Sequence, residues 1–154
     1  MGTEEEMLFR NFLEKDREAF LSIGRERQCQ PGESVVRDAA AGSSLFITME
    51  GEASVWKKNV RVAIIRKGSV FGESALFQNQ QRIATIRAEV PMRVLEFRRP
   101  DILTFFKWKE ERLFKVFVLN IITILLGKLG RANERIASMA SSEQALSGFS
   151  GGGM

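Results

Sequence analysis

The sequence predicts a mainly β domain, a barrel or sandwich of short strands, with helices on both flanks. Three observations carry this reading. Between Ile23 and Phe97, short β-branched and aromatic runs are separated by the turn residues Pro31-Gly32, Gly42-Ser43, Gly51, Asn59, Gly68 and Gly72. Turns every ~8–12 residues suit an all-β barrel or sandwich and not alternating βαβ units. Before and after that region the apolar residues recur at helical spacing. Finally, 154 residues with 44% hydrophobic content and 12 Phe provide one domain core with material for an extra helix.

Taken in order, residues 4 to 22 carry Met7, Leu8, Phe12, Phe20 and Leu21 among charges, a spacing for one helix or two short ones. Strand alternation is clear in Ile83-Ala84-Thr85-Ile86-Arg87-Ala88 and in Val94-Leu95-Glu96-Phe97. Pro100-Asp101 then opens a helix through Phe105 and Phe106, Pro being suited to a first helical turn. A long helix is expected from about Glu110 to Met139. In it Leu119, Ile122, Leu126, Leu129, Asn133 and Ile136 step by three and four, the seam of a coiled-coil-like partner face. A second stripe of Phe114, Phe117, Val118, Ile121 and Leu125 is expected to pack on the barrel. The organisation is therefore a domain at 1–109, a dimerisation helix at 110–140 and, from its Ser and Gly content, a flexible tail at 141–154.

Composition excludes several chemistries. With no His, this chain's own side chains form no Ser-His-Asp triad, H-E-x-x-H zinc site or proximal-His haem site. The single Cys29 makes no internal disulfide or thiolate cluster, so no metal is expected and a reducing, cytoplasmic home is. We read Cys29 as a buried, strand-borne small residue. The acidic start Met1 to Glu6 lacks a signal-peptide pattern. The apolar run Val116 to Leu126, 11 residues long, is short of the ~20 of a bilayer span and reads as a buried helix. Net charge is +4 and the pI is near 9.6, but the basic residues are scattered among acidic ones, as on an ordinary solvated surface.

The sharpest local feature is Phe71-Gly72-Glu73-Ser74-Ala75-Leu76-Phe77-Gln78-Asn79-Gln80-Gln81-Arg82-Ile83-Ala84-Thr85. A Gly after a strand lets the backbone turn closely, and small Ser74 and Ala75 suit the opening of a short helix whose amides attract anions. Glu73 offers a carboxylate to a sugar hydroxyl, and Arg82 a forked donor to a phosphate. On residue types alone, a turn with a surface ion pair explains the same run.

The whole run resembles the phosphate-binding cassette of cyclic nucleotide-binding domains, F-G-E-x-A-L-x(5)-R-x-A-x. Phe71, Gly72, Glu73, Ala75, Leu76, Arg82 and Ala84 match without a gap. Pro31-Gly32-Glu33, Leu45-Phe46-Ile47, Gly51-Glu52-Ala53 and Pro100-Asp101-Ile102-Leu103 extend the likeness over roughly residues 8 to 107. The resemblance implies an antiparallel, jelly-roll-like β-roll with flanking helices plus a long C-terminal helix. It also implies that Glu73 holds the ribose 2′-hydroxyl and Arg82 the cyclic phosphate, with amides of Gly72, Ala75 and Ile83 completing the cradle and Phe71, Ser74 and Ala84 bordering it.

Two departures stand out. Asn79-Gln80-Gln81 lacks the Gly-x-Pro frequent before the Arg, and Ile83 stands where cGMP-selective members often carry Thr. The resemblance thus leans to cAMP, with cGMP open.

The C-terminal helix is similar to the dimer helix of catabolite activators and related bacterial regulators. There Ala132 replaces a hydroxyl residue, and Asn133 either meets the adenine edge or sets register in the dimer seam. About 15 residues follow Met139 where a helix-turn-helix needs about 50 or more, so no DNA-binding domain is expected in this chain.

The expectation is a non-enzymatic, homodimeric cyclic nucleotide receptor. It passes ligand state through the 110–139 helix to a protein effector, with Pro100 to Lys109 as hinge. The alternative is a dimerisation scaffold that no longer binds ligand. Retained Glu73 and Arg82 favour the receptor.

Overall fold

The computed structural model describes residues 2–36, 44–76 and 84–151, with side chains except at 74, 75 and 144–151. The first helical stretch divides in two, α1 (Glu4–Leu8) and α2 (Glu14–Ser22). Among the described residues, eight strands follow: β1 (Arg25–Cys29), β2 (Ser34–Val36), β3 (Ser44–Glu50), β4 (Ala53–Lys57), β5 (Val60–Ile65), β6 (Val70–Phe71), β7 (Thr85–Ala88) and β8 (Met92–Arg98). A 3-10 turn at Glu73–Leu76 lies between β6 and β7, and helices α3 (Arg99–Lys107) and α4 (Glu111–Gly151) close the chain. The strands pair antiparallel in two sheets, ordered β1-β8-β3-β6 and β2-β7-β4-β5. This is the β-roll with flanking helices and a long C-terminal helix that the sequence predicts.

Turn chemistry sets the strand boundaries. β4 and β5 are joined by Lys58-Asn59, both left-handed (φ 51° and 65°), the two-residue geometry whose twist matches the strands it connects. At Gly51, φ is 93° and an added Cβ would lie 2.5 Å from the Pro91 carbonyl oxygen, so only glycine fits.

Period-two alternation builds two cores from one sheet. On β3 and β8, Leu45, Ile47 and Phe97 face the helices, joining Leu8, Phe20, Ile102, Phe106, Phe117 and Ile121. Phe46 and Val94 point the other way, into the roll, with Cys29, Val36, Phe71, Ile86, Ala88 and Met92. Cys29 is buried on β1 as expected, and burial pushes its thiol pKa up.

Helix α4 differs from the expectation in three ways. It continues beyond Met139 to Gly151, through the stretch composition marks as a tail; Ala137, Ala140 and Ala145 favour helix, no Pro interrupts, and propagation adds one hydrogen bond per residue fixed. Its buried stripe is Leu113, Phe117, Ile121 and Ile124, whereas Phe114 is exposed and Leu125 only packs at the margin. By length and composition Glu111–Glu143 is also apolar enough to cross a membrane, more than the Val116 to Leu126 run suggests, although that stripe is spent on the domain core. Buried Asn120 interrupts the stripe, its Nδ2 donating to the carbonyls of Leu8 and Arg10, both at 2.9 Å, and so fastening the end of α1 to α4. Leu119, Ile122, Leu126, Leu129 and Ile136 all lie exposed on another face. In the α3–α4 connection Phe106 is buried and Trp108 is 78% exposed, its ring under the Lys107 ammonium.

Candidate ligand-binding site

β6 is only two residues long because it must deliver a turn. Val70 and Phe71 pair with Ile47 and Phe46 of β3, and the Phe46 and Phe71 rings stack at 4.9 Å between centroids, anchoring the strand inside the roll. Gly72 follows with φ 80°, a left-handed step that releases the chain from the sheet. The 3-10 turn then begins at Glu73, as the small residues after it predict.

The turn brings Glu73 to the wall of a cavity of about 890 Å³, between the β5 and β6 region and one face of α4. That volume lies in the roughly 300–1,000 Å³ range of small-molecule sites. Glu73 is 5% exposed, and its burial is compensated: Lys128 Nζ of α4 lies 2.5 Å from Oε1 and also donates to the Val70 carbonyl at 2.6 Å. A second rung lies beside it. Glu4 Oε1 accepts from the Val70 amide at 3.0 Å, and its Oε2 accepts from Arg131 Nη2 of α4 at 3.2 Å. Arg135 then donates to the Val62 carbonyl of β5.

The expected site residues divide clearly. Phe71, Gly72 and Glu73 line the cavity. Ser74 and Ala75 supply backbone to the 3-10 turn, and Ala84, half-buried, precedes β7. Arg82 and Ile83 lie outside the described residues. Asn133 is exposed, and α4 lines the cavity with Lys128, Arg131 and Arg135 in its place.

Those three cations, and Glu4, are what sequence reasoning missed. The signal was present in the spacing: Phe117, Ile121, Ile124, Lys128, Arg131 and Arg135 keep one four-three rhythm, so the stripe that packs on the roll changes from apolar to basic where the helix passes the cavity.

Comparison with known proteins bears on the family and the fold. The family model described as "Cyclic nucleotide-binding domain" matches residues 26–108. The cGMP-dependent protein kinase of Eimeria tenella is 42% identical over 62 residues, 40% of this chain and 6% of the kinase. The cAMP-dependent protein kinase regulatory subunit of Yarrowia lipolytica is 36% identical over 67 residues, 42% of this chain and 18% of that subunit. The chain thus matches only a small part of these relatives' length.

Among solved structures, a cyclic nucleotide-binding domain from Methylobacillus flagellatus superposes with a TM-score of 0.78 at 15% identity, covering 90% of this chain and 87% of that one. The Thermus thermophilus catabolite activator protein gives 0.74 at 19% identity, covering 87% and 63%. At those identities the likeness concerns the fold. The cassette, the β-roll that carries it and the family match over more than half of its length together show that this chain belongs to the cyclic nucleotide-binding domain family.

Proposed function

We propose that the chain is a non-enzymatic receptor for a cyclic nucleotide, with cAMP as its ligand. The observation that carries this reading is the position of Glu73, buried at the start of the turn after Gly72 and facing a cavity of nucleotide size. In this reading Glu73 accepts the ribose 2′-hydroxyl, Arg82 forms a forked, charge-assisted pair with the cyclic phosphate, and the amides of Gly72, Ala75 and Ile83 share the remaining phosphate oxygens. Such donors are strongest where water is excluded, which the stacked Phe46 and Phe71 promote. The aliphatic Ile83 supports cAMP because it presents no hydroxyl to a guanine.

The ligand state would pass to a protein effector through a homodimer formed on α4, in a cytoplasmic setting. Supporting the dimer, five apolar side chains at seam spacing, Leu119 to Ile136, stand exposed on the face away from the core. Asn133 belongs to that seam, as a polar register-setting residue. Calorimetric titration of the full chain with cAMP and with cGMP tests the reading. A saturable site that prefers cAMP is expected; preference for cGMP overturns the choice of base, and absence of binding to both overturns the receptor.

A further inference from the structure

Charge in the cavity at the cassette is not balanced. Among the described residues it is lined by six cationic side chains and two carboxylates, Glu4 and Glu73. Both carboxylates are already met, Glu73 by Lys128 and Glu4 by Arg131. Of the other four cations, Arg66 pairs with Glu52, Nε to Oε1 at 3.6 Å, and Arg135 is spent on the Val62 carbonyl. Arg61 of β5 and Lys67 of the turn after it are left over. Both are exposed, and neither side chain has an ion pair or hydrogen bond to another described residue. The sequence supplies no acid nearby to quench them, since from Ala53 to Gly72 there are five basic residues and no Asp or Glu. Unpaired and beside charges of like sign, these two add repulsion to the fold and no stability.

We propose that Arg61 and Lys67 are capture residues, which draw the ligand's phosphate to the mouth of the cavity and set how fast it enters, not how long it stays. The inference rests on the receptor reading and adds the route by which the ligand arrives. A cyclic nucleotide is an anion, and a cleft lined by one sign of charge raises the local concentration and the association rate of the opposite sign. Exposed charges act in this way over about one screening length, about 10 Å at 0.1 M salt, and so need no contact in the final complex. The division of labour with Arg82 follows. Arg82 is assigned the phosphate of the bound ligand and governs release, whereas Arg61 and Lys67 govern arrival.

The test is stopped-flow kinetics of the full chain with a fluorescent 8-substituted cAMP, in wild type, in Arg61→Gln/Lys67→Gln and in Lys15→Gln/Arg112→Gln. The last pair removes the same two charges from exposed positions on a different cleft, beside α2 and the start of α4. At about 10 mM salt, where the screening length is about 30 Å, the rim variant should associate about threefold more slowly than wild type, with dissociation unchanged. Two unit charges about 10 Å from an entering phosphate in water predict an effect of this size. The control should stay within about 1.5-fold of wild type, and at about 1 M salt the rim variant should match wild type because screening removes the field. Equal association rates at low salt overturn the proposal, as does equal slowing in the control, which makes net charge the cause. Faster dissociation with unchanged association also overturns it, because Arg61 and Lys67 are then contacts of the bound ligand. If the analogue, cAMP and cGMP bind none of the three proteins, the receptor reading fails, an outcome distinct from binding whose rate ignores Arg61 and Lys67.

Discussion

At the scale of single residues, binding turns on charged groups. Arg82 is assigned the cyclic phosphate, and removing a charge-assisted partner of an enclosed anion costs on the order of 2–4 kcal/mol. Arg82→Ala is therefore expected to weaken cAMP binding by about two orders of magnitude in a calorimetric titration, with the melting temperature little changed. Asn120 makes the opposite kind of contribution. Asn120→Leu would leave the Leu8 and Arg10 carbonyls without their donor at a buried joint, at about 1–3 kcal/mol, and chemical denaturation should read that loss in midpoint without a change in slope.

Glu73 was singled out by the resemblance of its run to the cyclic nucleotide cassette, and the structure places it at the cavity wall. Asn120 and Lys128 were not, since a polar residue within an apolar helix reads as surface until its distant partners, 112 and 55 positions away, are known.

At the scale of elements, α4 carries two interleaved stripes. The roll-facing stripe is apolar through Ile124 and basic from Lys128, while the proposed seam from Leu119 to Ile136, apolar except at Asn133, stays exposed. Periodicity picked out the apolar stripe that is exposed, yet assigned Phe114 in place of Leu113 and Ile124 to the packed stripe. Neighbouring apolar positions on one helix are interchangeable until the crossing over α1 and α3 is set by packing.

Because Leu126 is 62% exposed, Leu126→Glu leaves both cores intact. The variant should melt within a few degrees of wild type, on the usual scale of about 0.5 kcal/mol for surface changes. Light scattering should nonetheless report a monomer where wild type is a dimer. A wild-type monomer at high concentration would remove the seam.

At the scale of the whole molecule, the strand-dense middle was legible because Gly32, Gly51, Asn59, Gly68 and Gly72 take left-handed backbone at turns the sequence marks, whereas Gly42-Ser43 lie outside the described residues. The two-core arrangement was not, because alternation tells which residues share a face but not which face meets the helices. We propose that a cyclic nucleotide occupies the cavity between the cassette and α4.

An NMR titration of the isotope-labelled full chain with cAMP tests that placement most directly. The account predicts saturable shifts at the amides of Gly72, Glu73 and Ala75, at the Arg82 guanidinium and at the Lys128 ammonium, all fitting one dissociation constant. Saturable shifts confined to surfaces away from this cavity, or none with either cAMP or cGMP, would contradict it.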